Sequence, residues 1–217
     1  TFANEIGMLC KAEGIDSHEV MRIFCADTKL NISARYLTPG FAFGGSCLPK
    51  DLRALTYRAQ QHDLYLPMLA HVLPSNRLQI ERVVKQVQRL RRRRVGLFGL
   101  SFKPGTDDLR ESPLVELAEQ LIGKGYNLLI YDSNVCYAAL HGSNKAYIER
   151  EIPHIREILC DDIERVLEHS EVVIIGHLDR ALRERVQQLI REDQVVLDLA
   201  RALDPSKLRG DYVGLYW

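Results

Sequence analysis

The spacing of apolar residues changes at Val95, and that change limits the possible folds more than any other feature of the chain. Upstream, apolar side chains recur three and four apart. Downstream, Val95 to Leu100, Leu128 to Tyr131, Val172 to Ile175 and Val195 to Leu199 form short apolar runs with helical stretches between them. This alternation predicts an α/β layer built on a parallel sheet. Helices are expected at Pro113 to Lys124, Asp161 to His169 and Arg180 to Arg191, and Tyr212 to Tyr216 reads as a final strand.

The part before Val95 reads as all helix and loop. Phe2, Ile6, Leu9 and Cys10 make a stripe ending near Gly14, and Asp16 with Glu19 caps a second helix reaching about Ala26. Asp27 to Ser46 reads as loop. A long helix from Pro67 to Leu90 then carries Leu69, Leu73, Asn76, Ile80, Val83, Val87 and Leu90 in steps of four and three, a seam suited to packing between helices or subunits. Pro74 is expected to kink it. The chain thus divides into a helical region, 1–92, and an α/β region, 93–217.

Composition excludes several classes. Lys plus Arg and Asp plus Glu number 29 each, so no overall field draws the chain to nucleic acid, and its apolar runs are too short to span a membrane. The Arg91 to Arg94 run is explained more simply as cations closing a helix C-terminus. Five widely spaced cysteines without a CxxC pair suggest neither a disulfide scaffold nor a zinc knot, and a reducing cytoplasm fits them best. The seven histidines show no HxH or HExxH spacing, so no metal site is expected. Thr1 stands without a methionine inside an apparent helix, and the protein is expected to begin further upstream.

Two loops carry the candidate chemistry. In Phe41-Ala-Phe-Gly-Gly-Ser-Cys47-Leu-Pro-Lys50-Asp51, Pro49 suits the first position of a helix, so Cys47 sits beside free backbone N–H groups. Those donors and Lys50 would favour thiolate over thiol. Asp51, four residues on, brings a carboxylate able to activate water or move protons, while Gly44 and Gly45 let backbone approach a ligand. A buried, inert cysteine after a tight turn is the ordinary alternative; the surrounding cluster favours a reactive one.

The second loop, Gly99-Leu-Ser-Phe-Lys103-Pro-Gly-Thr-Asp-Asp-Leu-Arg110-Glu-Ser-Pro113, follows the first strand and enters a helix capped by Ser112. It lies where open α/β sheets bind ligands, and Lys103 and Arg110 supply charge for phosphates. The glycine pattern is not GxGxxG, and an ordinary strand-to-helix loop would carry the same residues. Asp198, near a strand end, fits a site contact or a structural hydrogen bond equally.

Together, the Gly-Gly-Ser-Cys-Leu-Pro-Lys-Asp segment and the Phe102-Lys103 to Arg110-Glu111-Ser112 segment resemble the UDP-glucose/GDP-mannose 6-dehydrogenase family. The similarity runs from Thr1-Phe-Ala-Asn4-Glu5 through Asp107 to Glu119 and on to Tyr126. It implies a helical dimerisation region with the catalytic cysteine loop, then a Rossmann-like nucleotide-sugar domain. It implies an NAD-dependent oxidation of a sugar C6 alcohol to a carboxylate in two hydride transfers, with GDP-mannose favoured over UDP-glucose or UDP-N-acetylmannosamine. By residue matching, Cys47 is the nucleophile and Asp51 assists proton transfer or thioester hydrolysis. Lys50 and Arg110 contact NAD, and Asn4, Tyr36, Phe41, Gly44 and Lys103 line the nucleotide-sugar pocket.

The family's oxyanion-stabilising lysine and asparagine and its NAD fingerprint would lie upstream, so this stretch alone is expected to be inactive. Alginate-pathway members carry tyrosine and, three residues on, arginine in the loop that reaches a neighbouring subunit; this chain has Arg35 and Thr38 there. Arg35 replaces the missing charge in part, or the sugar or base preference is altered. A homodimer or larger homo-oligomer follows from the same resemblance. A non-catalytic nucleotide-sugar sensor and a thiol redox switch at Cys47 are the competing readings.

Overall fold

The computed structural model describes residues 3–4, 7, 10–11, 14–27, 37–61, 66–135, 142–153 and 155–217, with backbone alone at 58, 143 and 144. The expected α/β sheet is present. Its strands are β1 (Arg94–Phe98), β2 (Asn127–Tyr131), β3 (Val172–Ile175), β4 (Val195–Asp198) and β5 (Asp211–Gly214), in the order β2-β1-β3-β4-β5. All neighbours run parallel, with Val95 in register with both Leu128 and Val172.

Because strand side chains alternate in direction, the sheet feeds two cores. Val95, Leu97, Leu128, Ile130, Val172, Ile174, Val195 and Leu197 enter one, together with Ile80, Val83 and Val87 of α3 (Pro67–Leu90) and Leu114, Leu117 and Leu121 of α4 (Pro113–Gly123). Phe98, Val173, Ile175 and Val196 enter the other, covered by helices at Ile163–His169 and Arg183–Leu189. With both faces covered, β3 and β4 are buried at every position.

The helical region carries α1 (Ser17–Cys25), capped by the Asp16 carboxylate accepting from the His18 N–H, and α2 (Leu48–Gln61). It is fastened to the sheet domain near the last residues of the chain. Ser17 Oγ donates to the Tyr216 carbonyl at 2.8 Å, Arg201 pairs with Asp16 at 3.0 Å, and the Tyr216 hydroxyl bonds Gln79 of α3. Burial pushes the Tyr216 hydroxyl pKa up to about 12, so it stays protonated as a donor.

Several boundaries depart from expectation for local reasons. β1 stops at Phe98, short of Leu100, because Gly99 turns with φ of 94° and the buried Asp132 carboxylate captures the N–H groups of Leu100 and Ser101. β5 ends at Gly214, and Tyr216 turns into the core. The segment from Arg180 to Arg191 divides into a 3-10 turn, Arg180–Leu182, and a helix, Arg183–Leu189. The helices at Gly142–Glu151 and Ile155–Ile158 were not expected, since the first is mostly polar and the second is one turn long. The seam of α3 serves inside the chain over its second half, where Ile80, Val83 and Val87 are buried. Among the described residues no helix is long and apolar enough to cross a membrane.

Asp198 is structural. Fully buried, it accepts from the N–H groups of Ala200, Ala202 and Leu203 and from the Tyr212 hydroxyl at 3.0 to 3.2 Å. An Asp198→Asn chain should lose on the order of 3 kcal/mol in urea unfolding, because an amide brings donors where only acceptors are wanted. Tyr212→Phe should lose about 1 kcal/mol by the same measurement.

Candidate active site

Cys47 lies immediately before α2 with its side chain exposed, and its carbonyl accepts the Asp51 N–H at 2.9 Å. Lys50 Nζ is 3.2 Å from the Asp51 carboxylate, both side chains reaching into solvent. The turn leading to the thiol is held by backbone contact that only glycine permits. A Cβ on Gly44 would stand 2.1 Å from the Glu111 carbonyl oxygen and 2.6 Å from Pro113 Cδ. Gly45, with φ of 91°, donates its N–H to the same carbonyl at 3.3 Å. One residue earlier, the Asn76 side chain of α3 accepts the Phe43 N–H at 2.9 Å and donates to the Phe43 carbonyl at 2.8 Å. The thiol turn is thus fixed from two sides.

The other side is the loop after β1. Ser112 caps α4, accepting the Leu114 N–H and donating its hydroxyl to the Leu100 carbonyl at 2.7 Å. Glu111 adopts a left-handed backbone, φ of 52°. Its N–H reaches the Tyr147 hydroxyl at 3.2 Å, and its carboxylate takes both Arg53 amino groups at 2.8 and 2.9 Å. The Arg53 hydrogen bonds hold the Glu111 carboxyl below the usual carboxylate range. Arg110 grips Asp108 at 2.8 and 2.9 Å, and that pairing is the first cause favouring its charged form, with a weaker contribution from nearby Cys47. The two loops that the sequence singles out therefore meet at the thiol.

A cleft of about 350 Å³ opens beside them at the C-terminal ends of β1, β3 and β4, where the strand order reverses. Phe41, Phe102, Lys103, His177 and Arg183 border it, and among the described residues no carboxylate does. Lys103 Nζ lies 5.1 Å over the Phe102 ring. The loop carrying Lys103 is stiffened by Asp132, which accepts the Leu100 and Ser101 N–H groups at 2.8 and 3.0 Å and stands 3.5 Å from His177 Nε2. A larger hollow, about 930 Å³, lies between α3 and α4. Arg53 and Arg77 line it, outnumbered by Glu81, Glu111, Glu116, Glu119 and Glu151, so its charge does not suit an anionic ligand; Cys47 lines neither opening.

Cys47, Lys50, Asp51, Gly44 and Arg110 gather at the thiol, and Phe41 and Lys103 at the cleft. Asn4 is buried behind it, accepting the Gly40 N–H at 2.9 Å and donating to the Phe41 carbonyl at 3.5 Å. Thr38 borders a separate cleft with His18, Met21 and Cys25. Arg35 and Tyr36 lie outside the described residues. Sequence reading did not single out Asn76, His177 or Arg183 for this neighbourhood. Asn76 could have been noticed as the polar break in an apolar seam, and the other two as residues following a strand's C-terminal end.

A parallel sheet covered on both faces, with a ligand cleft at its switch point, is the architecture of nucleotide-binding α/β domains. Residues 1–78 match the central domain of the UDP-glucose/GDP-mannose dehydrogenase family and residues 96–205 its UDP binding domain, and the chain belongs to that family. It is 58% identical over 179 residues to GDP-mannose 6-dehydrogenase of Pseudomonas aeruginosa, covering 82% of this chain and 41% of the relative. It is 46% identical to the Azotobacter vinelandii enzyme of the same name, covering 100% of this chain and 49% of the relative. Among solved structures, a ternary complex of GDP-mannose dehydrogenase from Pseudomonas aeruginosa superposes with a TM-score of 0.76 at 48% identity, covering all of this chain and 49% of that one. A UDP-glucose dehydrogenase from Pyrobaculum islandicum gives 0.79 at 30% identity, covering all of this chain and 47% of that one. The chain spans about half the length of the curated relatives it matches.

Two outcomes follow from this geometry. Gly44→Ala should destabilise the chain by about 2 kcal/mol or more in chemical unfolding, since the new methyl meets backbone that must shift. The Arg53–Glu111 pair is half exposed, so Arg53→Ala should cost less than about 1 kcal/mol at neutral pH. Because the folded Glu111 carboxyl titrates below its unfolded value, that contribution is present above about pH 4.3 and is lost as pH falls through the folded value. Unfolding curves of parent and variant should converge at the acid end.

Proposed function

We propose that this chain carries the nucleophile and the nucleotide-sugar cleft of an NAD-dependent nucleotide-sugar 6-dehydrogenase that takes GDP-mannose to GDP-mannuronate. The observation that carries the reading is the docking of the Cys47 turn onto Glu111, within the loop whose other limb brings Lys103 to the cleft. One surface thereby offers an anion site for a diphosphate and an exposed thiol for the sugar end. Identities of 46 to 58% to relatives named GDP-mannose 6-dehydrogenase favour the mannose substrate. A relative from Pseudomonas aeruginosa named UDP-glucose 6-dehydrogenase shares 37% over 137 residues. UDP-glucose or UDP-N-acetylmannosamine is the second reading, favoured by the match of residues 96–205 to a UDP binding domain.

Cys47, an exposed, free thiol at this place, suits capture of an aldehyde. Its thiolate sulfur bonds to C6 of the sugar aldehyde, and the former carbonyl oxygen takes a proton to give a thiohemiacetal, so no free aldehyde leaves the site. Oxidation of that adduct leaves a thioester. Asp51, one helical turn from the thiol, then takes a proton from the attacking water; the C–S bond breaks, releasing the carboxylate and restoring the thiol. Lys50 and Arg110 suit NAD, being partly exposed cations at the rim of the thiol with donors left over from Asp51 and Asp108. When bound, NAD supplies the acceptor for both hydrides.

The helical region, 1–92, is the part that assembles with a second copy. The exposed large apolar side chains among the described residues, among them Ile23, Leu48, Tyr57, Met68 and Leu78, all lie between residues 15 and 78. Light scattering should report at least a dimer.

Calorimetric titration with GDP-mannose, UDP-glucose and UDP-N-acetylmannosamine, with GDP and UDP to isolate the base, tests the substrate. Preference for GDP-mannose is expected, and tighter binding of UDP-glucose would reverse the assignment. In the full-length enzyme, Cys47→Ala should abolish turnover while leaving GDP-mannose affinity within about twofold. Persistent turnover would remove Cys47 from the reaction.

A further inference from the structure

Arg183 begins the helix Arg183–Leu189 and borders the 350 Å³ cleft that also holds Lys103. Its Nε is buried and, among the described residues, has no hydrogen-bond partner. Neighbouring arginines are differently placed: Arg185 is paired with Glu164, Arg191 donates to the carbonyls of Leu167 and Ser170, and Arg201 pairs with Asp16. Among the described residues no carboxylate borders the cleft to neutralise Arg183 or Lys103. A cleft bordered by two cations and, among its described lining, by no acid attracts an anion. A diphosphate suits such a pair, since a guanidinium can bind phosphate oxygens as a planar fork and an ammonium as a point charge.

We propose that Arg183 is a diphosphate-binding residue, holding the pyrophosphate of the nucleotide sugar jointly with Lys103. This rests on the nucleotide-sugar reading of the cleft. Lys103, on the loop after β1, supplies a point charge, while Arg183, on the connection after β3, supplies directional hydrogen bonds. The two cations come from either side of the strand-order reversal, so the diphosphate bridges the switch point.

The test is calorimetric titration of the parent chain, Arg183→Ala and Arg183→Lys with GDP, GMP and guanosine, at two salt concentrations. Unfolding midpoints check that each variant is folded, and the lysine variant retains the charge and most of the stem. Arg183→Ala should weaken GDP binding by about tenfold or more, as expected for losing a charge-assisted hydrogen bond. Guanosine binding should change by less than about twofold. Arg183→Lys should recover part of the GDP affinity, and the alanine variant should show a shallower salt dependence. A GDP affinity unchanged in Arg183→Ala overturns the proposal, and so does an equal loss for guanosine, which would place Arg183 on the base. If the folded parent binds none of the three ligands, the nucleotide-sugar reading falls and this inference with it.

Discussion

Glu111 sits in a left-handed backbone conformation that costs a residue with a side chain roughly 1 to 3 kcal/mol, and the site depends on what holds it there. Its N–H is fixed by Tyr147, its carbonyl receives Gly45, and its carboxylate is gripped by Arg53 from α2. Each contact comes from a different part of the chain. The strained residue turns the loop after β1 so that its carbonyl faces the glycine turn before Cys47. Without that orientation, the thiol and the cation-bordered cleft would have no common support.

Charge is sorted around this junction although the chain as a whole carries formal charge zero. Lys103 and Arg183 border the smaller cleft without an acid, and the larger hollow between α3 and α4 collects glutamates. Burial raises the Glu116 carboxyl in that hollow, opposed by Arg77 nearby. An anionic ligand meets an attractive field at one opening and a repulsive one at the other. Overall composition says nothing of this division, because the two sets of residues lie far apart along the sequence.

Much of the fold was legible because its signals are local. The apolar runs of the first four strands needed only their own composition, and Pro67 to Leu90 was bounded by a helix-compatible proline and a sustained seam. The ends of elements were harder, since they are decided by distant partners. Asp132, 32 residues away, ends β1 by capturing the Leu100 N–H. At the site, Cys47, Lys50 and Asp51 were visible as a cluster in one segment, and Arg110 through a motif. Arg183 fell inside the expected helix Arg180 to Arg191 without being singled out, because nothing nearby in sequence says that it borders a cleft shared with Phe41, Lys103 and His177. Asp198 could be read two ways until its four donors were seen.

The long helix α3 has a consequence for how the chain can vary. The central-domain match ends at residue 78, yet α3 runs from Pro67 to Leu90 across that point. Asn76, which clamps Phe43, stands one turn before Ile80, which is packed into the sheet's core. The angular phase between the thiol turn and the sheet is therefore written in helical register. One residue inserted between Asn76 and Ile80 would rotate Asn76 by about 100° about the helix axis and carry its amide away from Phe43. Loops elsewhere in the chain can lengthen without altering that phase; this rod cannot.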